Sequence, residues 1–460
     1  MEKDQLINVD ILIPAYNEPI DIIERMFQAC HQQRRTENID IKVWFCIDGA
    51  SENELEIIKS LANKYNIDIS LRPNRKGFRA GALNFCIQNK VRADSKYLII
   101  LDIDQAPKPE MTQILVEQME KDENKNVQFI MFPQIASNSN MNTIAKASDL
   151  LQMYDYYFNR RIRAKTNSAF VVGTNWIGHT EFVKKIPFEE ESIVEDQASS
   201  IRWHANGAVV KVINAELASG LAPDTIDSWR AQQARWSYGA IYNLKFLSRY
   251  WKKLTFWQKI DYLSVMTWYL YSIPTIISIL LPLFTFYKPI TKADPIMPIV
   301  LLFLNIGIFT FPMIYCREPR LTMKEIFQTA AMQHMCLDLY LKSIYSNIIK
   351  EKFSYVVSDK TSKLCRQPHR KLWLPYLLVT TTGIGIIIAL YLNPPMYELM
   401  NLMKGVPLNY TTYIVVWIFL SIFWIWGTIF YTHKSNKILV NNDEIEKTSL
   451  NAPINVEIKN

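Results

Sequence analysis

Three apolar runs in the first half of the chain are each followed by carboxylate side chains. Glu18 follows the first run, Asp48 ends the second, and Asp102 and Asp104 end the third with one residue between them. Two aspartates at this spacing can hold a hard divalent ion such as Mg²⁺ that also bridges a diphosphate. The motifs therefore predict a site for a metal-bound ligand that carries phosphate groups.

The elements that must position these carboxylates alternate between strand and helix. The predicted strands are Val9–Pro14, Lys42–Ile47, Ile67–Leu71 and Tyr97–Ile103, and the predicted helices are Ile20–Gln33, Glu52–Tyr65 and Pro109–Lys121. Such alternation indicates an α/β, Rossmann-like domain with a mostly parallel sheet. Ligands of these sheets bind beyond the carboxyl ends of the strands, which is where the carboxylates lie.

Three further segments have residue types that suit transfer chemistry. Arg72–Asn84 combines basic residues with small glycines at the start of a helix, which suits contacts to phosphates. Glu195 and Asp196 follow an acidic run, and the segment Gln232–Trp236 has the sequence QQARW. Each of these segments taken alone is also typical of an ordinary solvent-exposed surface.

Together, in order and spacing, the motifs resemble the processive family-2 glycosyltransferases, which include cellulose, chitin and hyaluronan synthases. The similarity is strongest to the cellulose-synthase-like mannan and glucan synthases. The segments that carry it are VDILIPAYNEP, NRKGFRAGALN, DID, GTN, VED and QQARW, followed by YVVSDK at residues 355–360. Two positions depart from the family pattern: Arg79 replaces the usual lysine, and Ile47 precedes Asp48 where paired aspartates are common.

The resemblance implies a GT-A-type catalytic domain with a Mg²⁺ or Mn²⁺ cofactor and assigns a role to each matching position. It implies Asp196 as the general base, with Glu195 and Arg235 as further catalytic residues, and Asp102 and Asp104 as metal ligands. The implied nucleotide-sugar contacts are Pro14, Tyr16, Glu18, Asp48, Arg79, Asp102 and Gln232. The implied acceptor contacts are Gly173, Thr174, Asn175 and Trp236, and the implied gating loop contains Tyr355, Val357, Ser358 and Lys360.

The function implied is inverting transfer of a hexose from a nucleotide sugar to a growing β-linked polysaccharide, with or without export. UDP-glucose is favoured as the donor, and a GDP-sugar such as GDP-mannose is the alternative. Two other functions stay open: a non-processive transferase that adds one or a few sugars to a lipid carrier, and a membrane scaffold with a degenerate transferase domain. The partners expected are the donor, a glycan or lipid-linked acceptor, membrane lipids, and a second copy or a partner subunit.

The second half of the chain concentrates its apolar residues in four blocks of about the length that crosses a bilayer. These blocks are Tyr262–Phe286, Ile296–Tyr315, Trp373–Leu392 and Tyr413–Tyr431. The loop between the second and third blocks is rich in lysine and arginine, which predicts an integral membrane protein of the cell or plasma membrane with a cytosolic catalytic domain and cytosolic termini. Within that loop, apolar residues at helical spacing from Met323 to Ile348 predict an interfacial amphipathic helix.

The predicted organisation has six parts. They are a transferase domain at 1–243, an interfacial helix at 244–258, transmembrane hairpins at 259–316 and 373–433, a cytosolic segment with interfacial helices and the gating-like loop at 317–372, and a disordered polar tail at 434–460. The formal net charge of +7 forms no basic stripe within a nucleic-acid-binding module, so no nucleic acid is expected as a partner. The six cysteines lie far apart, which indicates reduced thiols.

Overall fold

The computed structural model describes residues 6–34, 36–276 and 335–351, together with residues 322, 325, 329, 332 and 333. The strands are β1 Ile7–Tyr16, β2 Ile39–Asp48, β3 Asp68–Leu71, β4 Tyr97–Ile100, β5 Ala106–Pro107, β6 Phe129–Met131, β7 Ile135–Ala136, β8 Trp176–His179, β9 Val210–Val212 and β10 Ala218–Gly220. The helices are α1 Ile20–His31, α2 Glu52–Tyr65, α3 Phe78–Asn89, α4 Met111–Met119, α5 Thr143–Tyr154, α6 Arg161–Lys165, α7 Thr180–Lys185, α8 Glu195–His204, α9 Ile226–Tyr242, α10 Leu244–Tyr250, α11 Phe256–Thr267 and α12 Leu337–Ile348.

In the described part of the chain, seven strands form one sheet in the order β3-β2-β1-β4-β8-β6-β9. β1 pairs in parallel with β2 and β4, β2 pairs in parallel with β3, and β8 runs antiparallel to both of its neighbours. A smaller sheet joins β5, β10 and β7. The α/β fold with a mostly parallel sheet, predicted from the sequence, is confirmed.

Alternate residues of the central strands face two separate hydrophobic cores. Ile11 of β1 and Ile99 of β4 belong to the core that includes residues of α1, α2 and α4. Leu12 and Ile100, one position further along each strand, belong to the core that includes residues of α3 and the aromatic side chain of Trp203. The strands are therefore covered on both faces, which explains their nearly continuous apolar sequence.

The element boundaries agree with the predictions where local signals are strong. α2 spans its predicted residues because Ser51 and Glu54 form a capping box and Asn66 ends the helix in the left-handed region, with a φ of 56°. β4 instead ends at Ile100, three residues earlier than predicted. Asp102 and Asp104 consequently lie in the turn after the strand.

The prediction of a single helix at 244–258 is wrong, because the structure has two separate helices there. α10 ends at Tyr250, and α11 starts at Phe256 behind the capping residue Thr255. The Thr255 hydroxyl accepts from the Gln258 backbone N–H, while the Gln258 side chain accepts from the Thr255 N–H. This capping box fixes a new helix start within the predicted one.

The predicted first span begins inside the globular fold. Tyr262 is 1% exposed, and its hydroxyl lies 2.8 Å from Nδ1 of His204 on α8. Among helices in the part of the chain that the structure describes, none is both long and apolar enough to cross a membrane. The described residues of the first predicted span end at Ile276, and the other three spans, the gating-like loop and the tail lie outside them.

α12 lies within the predicted amphipathic helix but buries a different face from the one that the apolar pattern suggests. Ser343 and Ser346 are buried, whereas Tyr345 and Ile348 are 62% and 72% exposed. The helix packs against α9 through hydroxyl and amide groups. Leu337 and Tyr340 are buried on the same face as the two serines, so the apolar positions on its exposed side are those near its end, such as Tyr345 and Ile348.

We expect Ile99→Ala to lower the free energy of unfolding by about 3 kcal/mol, because Ile99 is fully buried in the central strand β4. Urea unfolding of the full chain measures the change. The matched control is Ile57→Ala on α2, where the side chain is 48% exposed and the expected change is below about 0.5 kcal/mol. Equal losses in both variants would contradict this assignment of the core.

Candidate active site

A cavity of about 700 Å³ opens at the carboxyl ends of β1, β2 and β4 and is continued by α8, α9 and the residues after α11. Most of the residues singled out by the sequence line it. They are Pro14, Tyr16, Glu18, Asp48, Arg79, Asp102, Asp104, Gly173, Thr174, Glu195, Asp196, Gln232, Arg235 and Trp236. The fold thus brings together groups that lie up to about two hundred residues apart in the sequence.

Arg79, near the start of α3, lies between the two acidic motifs. Its Nη1 donates to Glu195 Oε1 at 2.7 Å, and its Nη2 donates to Asp102 Oδ1 at 2.7 Å. Nη2 also donates to the backbone carbonyl of Gly173 at 2.5 Å. A guanidinium has the planar set of donors that this arrangement needs, whereas an ammonium is a point charge.

The basic stretch after β3 folds back on Asp48. Nε of Arg72 donates to Asp48 Oδ1 at 2.5 Å, and Nη2 donates to Oδ2 of the same carboxylate. Both side chains are less than a tenth exposed. Asp48 was predicted to contact the nucleotide, but in the structure its two oxygens are engaged by Arg72 because the chain after β3 returns past the end of β2.

Arg75, from the same stretch, covers the aromatic ring of Tyr16. Its guanidinium carbon lies 3.3 Å from the centre of the ring, within the range of a cation–π contact. Both residues line the cavity. This end of the cavity therefore has a flat, positively charged surface on which an aromatic group can stack.

The turn that holds Asp102 and Asp104 is fixed by the loop before β8 and by the backbone just after β10. The backbone N–H of Asp102 donates to Thr174 Oγ1 at 2.8 Å, and Asp104 Oδ2 accepts from the Leu221 N–H at 3.4 Å. Asn175 adopts a φ of 61°, and its Nδ2 donates to Pro133 O and Gln105 Oε1. Asn175 was predicted as an acceptor contact, but it is fully buried and braces the cavity wall from behind.

Glu195 and Asp196 occupy the first turn of α8, where the helix dipole favours negative charge. Asp196 Oδ1 accepts from the Gln197 N–H at 2.7 Å. Burial raises the pKa of Asp196 to about 6, and the neighbouring Glu195 carboxylate adds to the increase, while Arg79 and Arg160 oppose it. A carboxyl group with this pKa is mostly ionised at neutral pH and can accept a proton.

α9 carries Gln232, Arg235 and Trp236 along the cavity, and Thr225 caps its start by accepting from the Ser228 N–H at 3.2 Å. Gln232 Oε1 is buried and has no hydrogen-bond partner among the described residues. A buried amide oxygen without a donor is costly unless a ligand supplies one. This end of the cavity consequently suits a ligand rich in hydroxyl groups.

Sequence patterns did not point to the π-helix Asp155–Arg160, which also lines the cavity between α5 and α6. Arg160 Nη2 lies 2.5 Å from Asp155 Oδ2, and Arg160 Nη1 donates to the Phe170 carbonyl at 3.0 Å. Insertions of this type leave no mark in composition or periodicity. They do occur often at functional sites, in agreement with this location.

Two carboxylates, Asp102 and Asp104, form the acidic pair at the turn after β4. Within residues 6–34, 36–276 and 335–351, no group of three or more histidine, cysteine, aspartate or glutamate side chains could hold a metal ion. An all-protein metal cage is therefore absent from the described part of the chain. In magnesium sites where substrate phosphates complete the coordination, the protein usually supplies one or two carboxylates.

Residues 10–187 match the model of the glycosyl transferase family 2. The chain carries a family-2 glycosyltransferase domain. Cellulose synthase 1 catalytic subunit (UDP-forming) of Komagataeibacter xylinus is 23% identical over 67% of this chain and 40% of its own length. Glucomannan 4-beta-mannosyltransferase 2 of Arabidopsis thaliana is 22% identical over 54% of this chain and 48% of its own length. The chain thus spans less than half the length of these relatives.

Among solved structures, a mannosyltransferase of Pyrobaculum calidifontis in complex with GDP-Man and Mn²⁺ is similar, with 11% identity and a TM-score of 0.47. The similarity covers 75% of this chain and 88% of that one. The sequence relatives and the matched family together identify an enzyme related to cellulose-synthase-like transferases.

We expect Asp48→Ala to lower the free energy of unfolding by about 3 kcal/mol, because it removes the only carboxylate that the buried Arg72 guanidinium pairs with among the described residues. Urea unfolding of the full chain measures the loss. The double variant Asp48→Ala/Arg72→Met removes both charges, and we expect it to recover at least half of the loss. A single variant as stable as the wild type would show that the ion pair has no structural role.

Proposed function

We propose that this chain transfers a hexose from a nucleotide sugar to a hydroxyl group of a growing β-linked glycan, with inversion at the anomeric carbon. The observation that carries the proposal is one continuous cavity with three kinds of group along it. It contains the carboxylate pair Asp102 and Asp104, the proposed base Asp196, which is partly buried, and a polar and aromatic end formed by α9.

The chemical step needs one base opposite the leaving group. An acceptor hydroxyl oxygen attacks the anomeric carbon of the donor, and a new carbon–oxygen bond forms. The bond from that carbon to the diphosphate oxygen breaks, and its electron pair leaves with the nucleoside diphosphate. The proton of the acceptor hydroxyl passes to the Asp196 carboxylate, whose raised pKa makes it a stronger base than an ordinary aspartate.

Asp102 and Asp104 would hold a divalent ion, Mg²⁺ or Mn²⁺, together with the diphosphate of the donor. Oxygen donors of this type fit either ion, and Asp102 is partly exposed toward the cavity. When bound, the ion would neutralise negative charge on the diphosphate. Arg79 holds Asp102 and Glu195 in fixed positions, and Arg235 supplies a second positive charge in the cavity wall.

The acceptor would lie along α9, with the indole of Trp236 stacked on the terminal sugar. The names of the two sequence relatives mention a UDP-forming synthase and a glucomannan mannosyltransferase. Both support a hexose donor, with UDP-glucose favoured and GDP-mannose as the alternative. The cavity volume is in the range typical of small-molecule sites, which leaves room for a nucleotide sugar.

We also propose that the enzyme works at a membrane, with its catalytic domain in the cytosol. The sequence supplies the four apolar blocks and the basic loop between them. The structure adds support through α11, where Phe256, Trp257, Ile260 and Leu263 are between 41% and 65% exposed. Exposed apolar side chains grouped on one short helix suit the interface between a protein and a bilayer.

The direct test incubates the purified full chain in detergent with Mg²⁺ or Mn²⁺ and either UDP-[¹⁴C]glucose or GDP-[¹⁴C]mannose. We expect long, β-glycosidase-sensitive product from one donor. Asp196→Asn should lower the rate by about a thousandfold, the middle of the range for loss of a general base. The matched control is Glu191→Gln in the same acidic segment, which pairs with Lys245 at the surface and should leave the rate unchanged.

Other products would assign other functions. Label found only in lipid or in products of one to a few sugars would replace the polymerase proposal with the non-processive transferase. If the wild type consumed neither donor, either the need for a partner subunit or the scaffold interpretation would replace the proposal that this chain acts alone.

The pH dependence offers a second test. Because Asp196 acts in its ionised form, kcat/KM should fall about tenfold per pH unit below pH 6, near the raised pKa of this carboxyl group. Arg79→Gln removes a positive charge that lowers this pKa, so the midpoint of the acid limb should move to higher pH, whereas Arg79→Lys keeps the charge. An acid limb near pH 4 in the wild type would contradict the role of Asp196.

A further inference from the structure

The face of α9 opposite the cavity is held by α12, which lies about one hundred residues later in the chain. Arg230 of α9 donates to both carboxylate oxygens of Asp338, at 3.0 Å from Nη1 and 2.5 Å from Nη2. Nη1 also donates to the backbone carbonyl of Met335. The Arg230 and Asp338 side chains are 6% and 14% exposed. Removing either one would therefore leave the other charge unpaired and poorly hydrated.

The contact continues along both helices as a row of polar groups. The hydroxyls of Ser237 and Ser343 lie 2.7 Å apart, and Asn347 Nδ2 donates to the Tyr238 carbonyl at 3.2 Å. The Tyr238 hydroxyl donates to the Glu351 carbonyl at 2.7 Å. Hydrogen bonds fix a helix in one register more strictly than apolar contacts do. α9 therefore has one defined position relative to α12.

Tyr340 connects this row of contacts to the cavity. Its hydroxyl lies 2.9 Å from Gln233 Oε1 and 3.0 Å from Gln333 Oε1, and it can donate to one of them at a time. The Tyr340 side chain is fully buried, while Gln233 and Gln333 both line the cavity. Gln333 is thus a wall residue of the cavity that comes from outside the family-2 domain match.

The same end of the cavity has buried acceptor atoms without donors. Gln232 Oε1 and the hydroxyl of Ser148 on α5 both lack a hydrogen-bond partner among the described residues, and both residues line the cavity. Ser148 is fully buried. α5, α9 and α12 meet here, because Ala147, Trp229 and Tyr340 belong to one hydrophobic cluster. Hydroxyl groups of a ligand would supply the missing donors.

We propose that α12 and Gln333 complete the acceptor site. Gln333 binds a hydroxyl of the acceptor glycan beside Gln232 and Ser148, and Tyr340 is a positioning residue that orients the Gln333 and Gln233 amides. The occupant is a β-linked hexose oligosaccharide, which offers a hydroxyl at each of several neighbouring positions. This inference rests on the proposed function, since it places the acceptor of that reaction.

The test measures binding of cellotetraose and β-1,4-mannotetraose to the full chain by isothermal titration calorimetry, without donor. Gln333→Leu keeps the size of the side chain and removes its amide, so Kd for the bound tetrasaccharide should rise about tenfold, the effect of one buried hydrogen bond. Tyr340→Phe keeps the ring and should raise Kd about threefold to fivefold. Tyr345→Phe on the exposed face of α12 is the matched control and should not change Kd.

A transfer assay with the same tetrasaccharides as acceptors separates this inference from the proposed function. For Gln333→Leu, the acceptor KM should rise about tenfold while the donor KM changes by less than twofold. Failure of the wild type to bind either tetrasaccharide, or equal Kd values for the wild type and Gln333→Leu, would overturn the inference. If the wild type consumed no donor but bound the tetrasaccharide more tightly than Gln333→Leu does, the result would support the subsite and refute the proposed transferase.

Discussion

The arrangement of the cavity depends on one cation among several carboxylates. Asp102 lies in the turn after β4, whereas Glu195 and Asp196 lie in the first turn of α8. Like charges at close range in a cavity repel one another strongly. Arg79 offsets this repulsion by donating to Asp102, Glu195 and the Gly173 carbonyl at once. Its planar fork links the turn after β4 to the start of α8. The three contacts at this position therefore suit an arginine, because the ammonium group of a lysine lacks the planar set of donors.

The sheet supplies only one side of the cavity, and helices supply the other. The carboxyl ends of β1, β2 and β4 present the residues proposed to bind the donor, whereas α8 and α9 present the proposed base and the residues proposed to bind the acceptor. α9 has two functional faces. One carries Gln232 and Trp236 into the cavity, and the other pairs with α12 through Arg230 and Asp338. The proposed acceptor end is consequently built from parts that are far apart in the chain.

Local sequence signals predicted β1 to β4 of the central sheet, because continuous apolar runs act within a few positions. They did not point to β6, β8 and β9 of the same sheet. α2 starts at Glu52, as predicted, and the structure adds a capping box formed by Ser51 and Glu54. Prediction failed where a polar contact decided the outcome. The capping box at Thr255 divides the helix expected at 244–258. In α12, Ser343 and Ser346 are buried although Tyr345 and Ile348 of the same helix are exposed. Periodicity alone cannot show which face of an amphipathic helix packs against the protein.

The sequence by itself determined the family of the domain, the α/β class, and the motifs that carry Asp102, Asp196 and Trp236, since these depend on residue type and spacing. Only the tertiary structure decided the partners of those residues. In the structure, Asp48 forms an ion pair with Arg72, Asn175 is buried behind the cavity wall, and Gln333 lines the cavity. The physical reason is that burial and pairing of charges arise between elements distant in the chain, where spacing along the sequence has no direct influence.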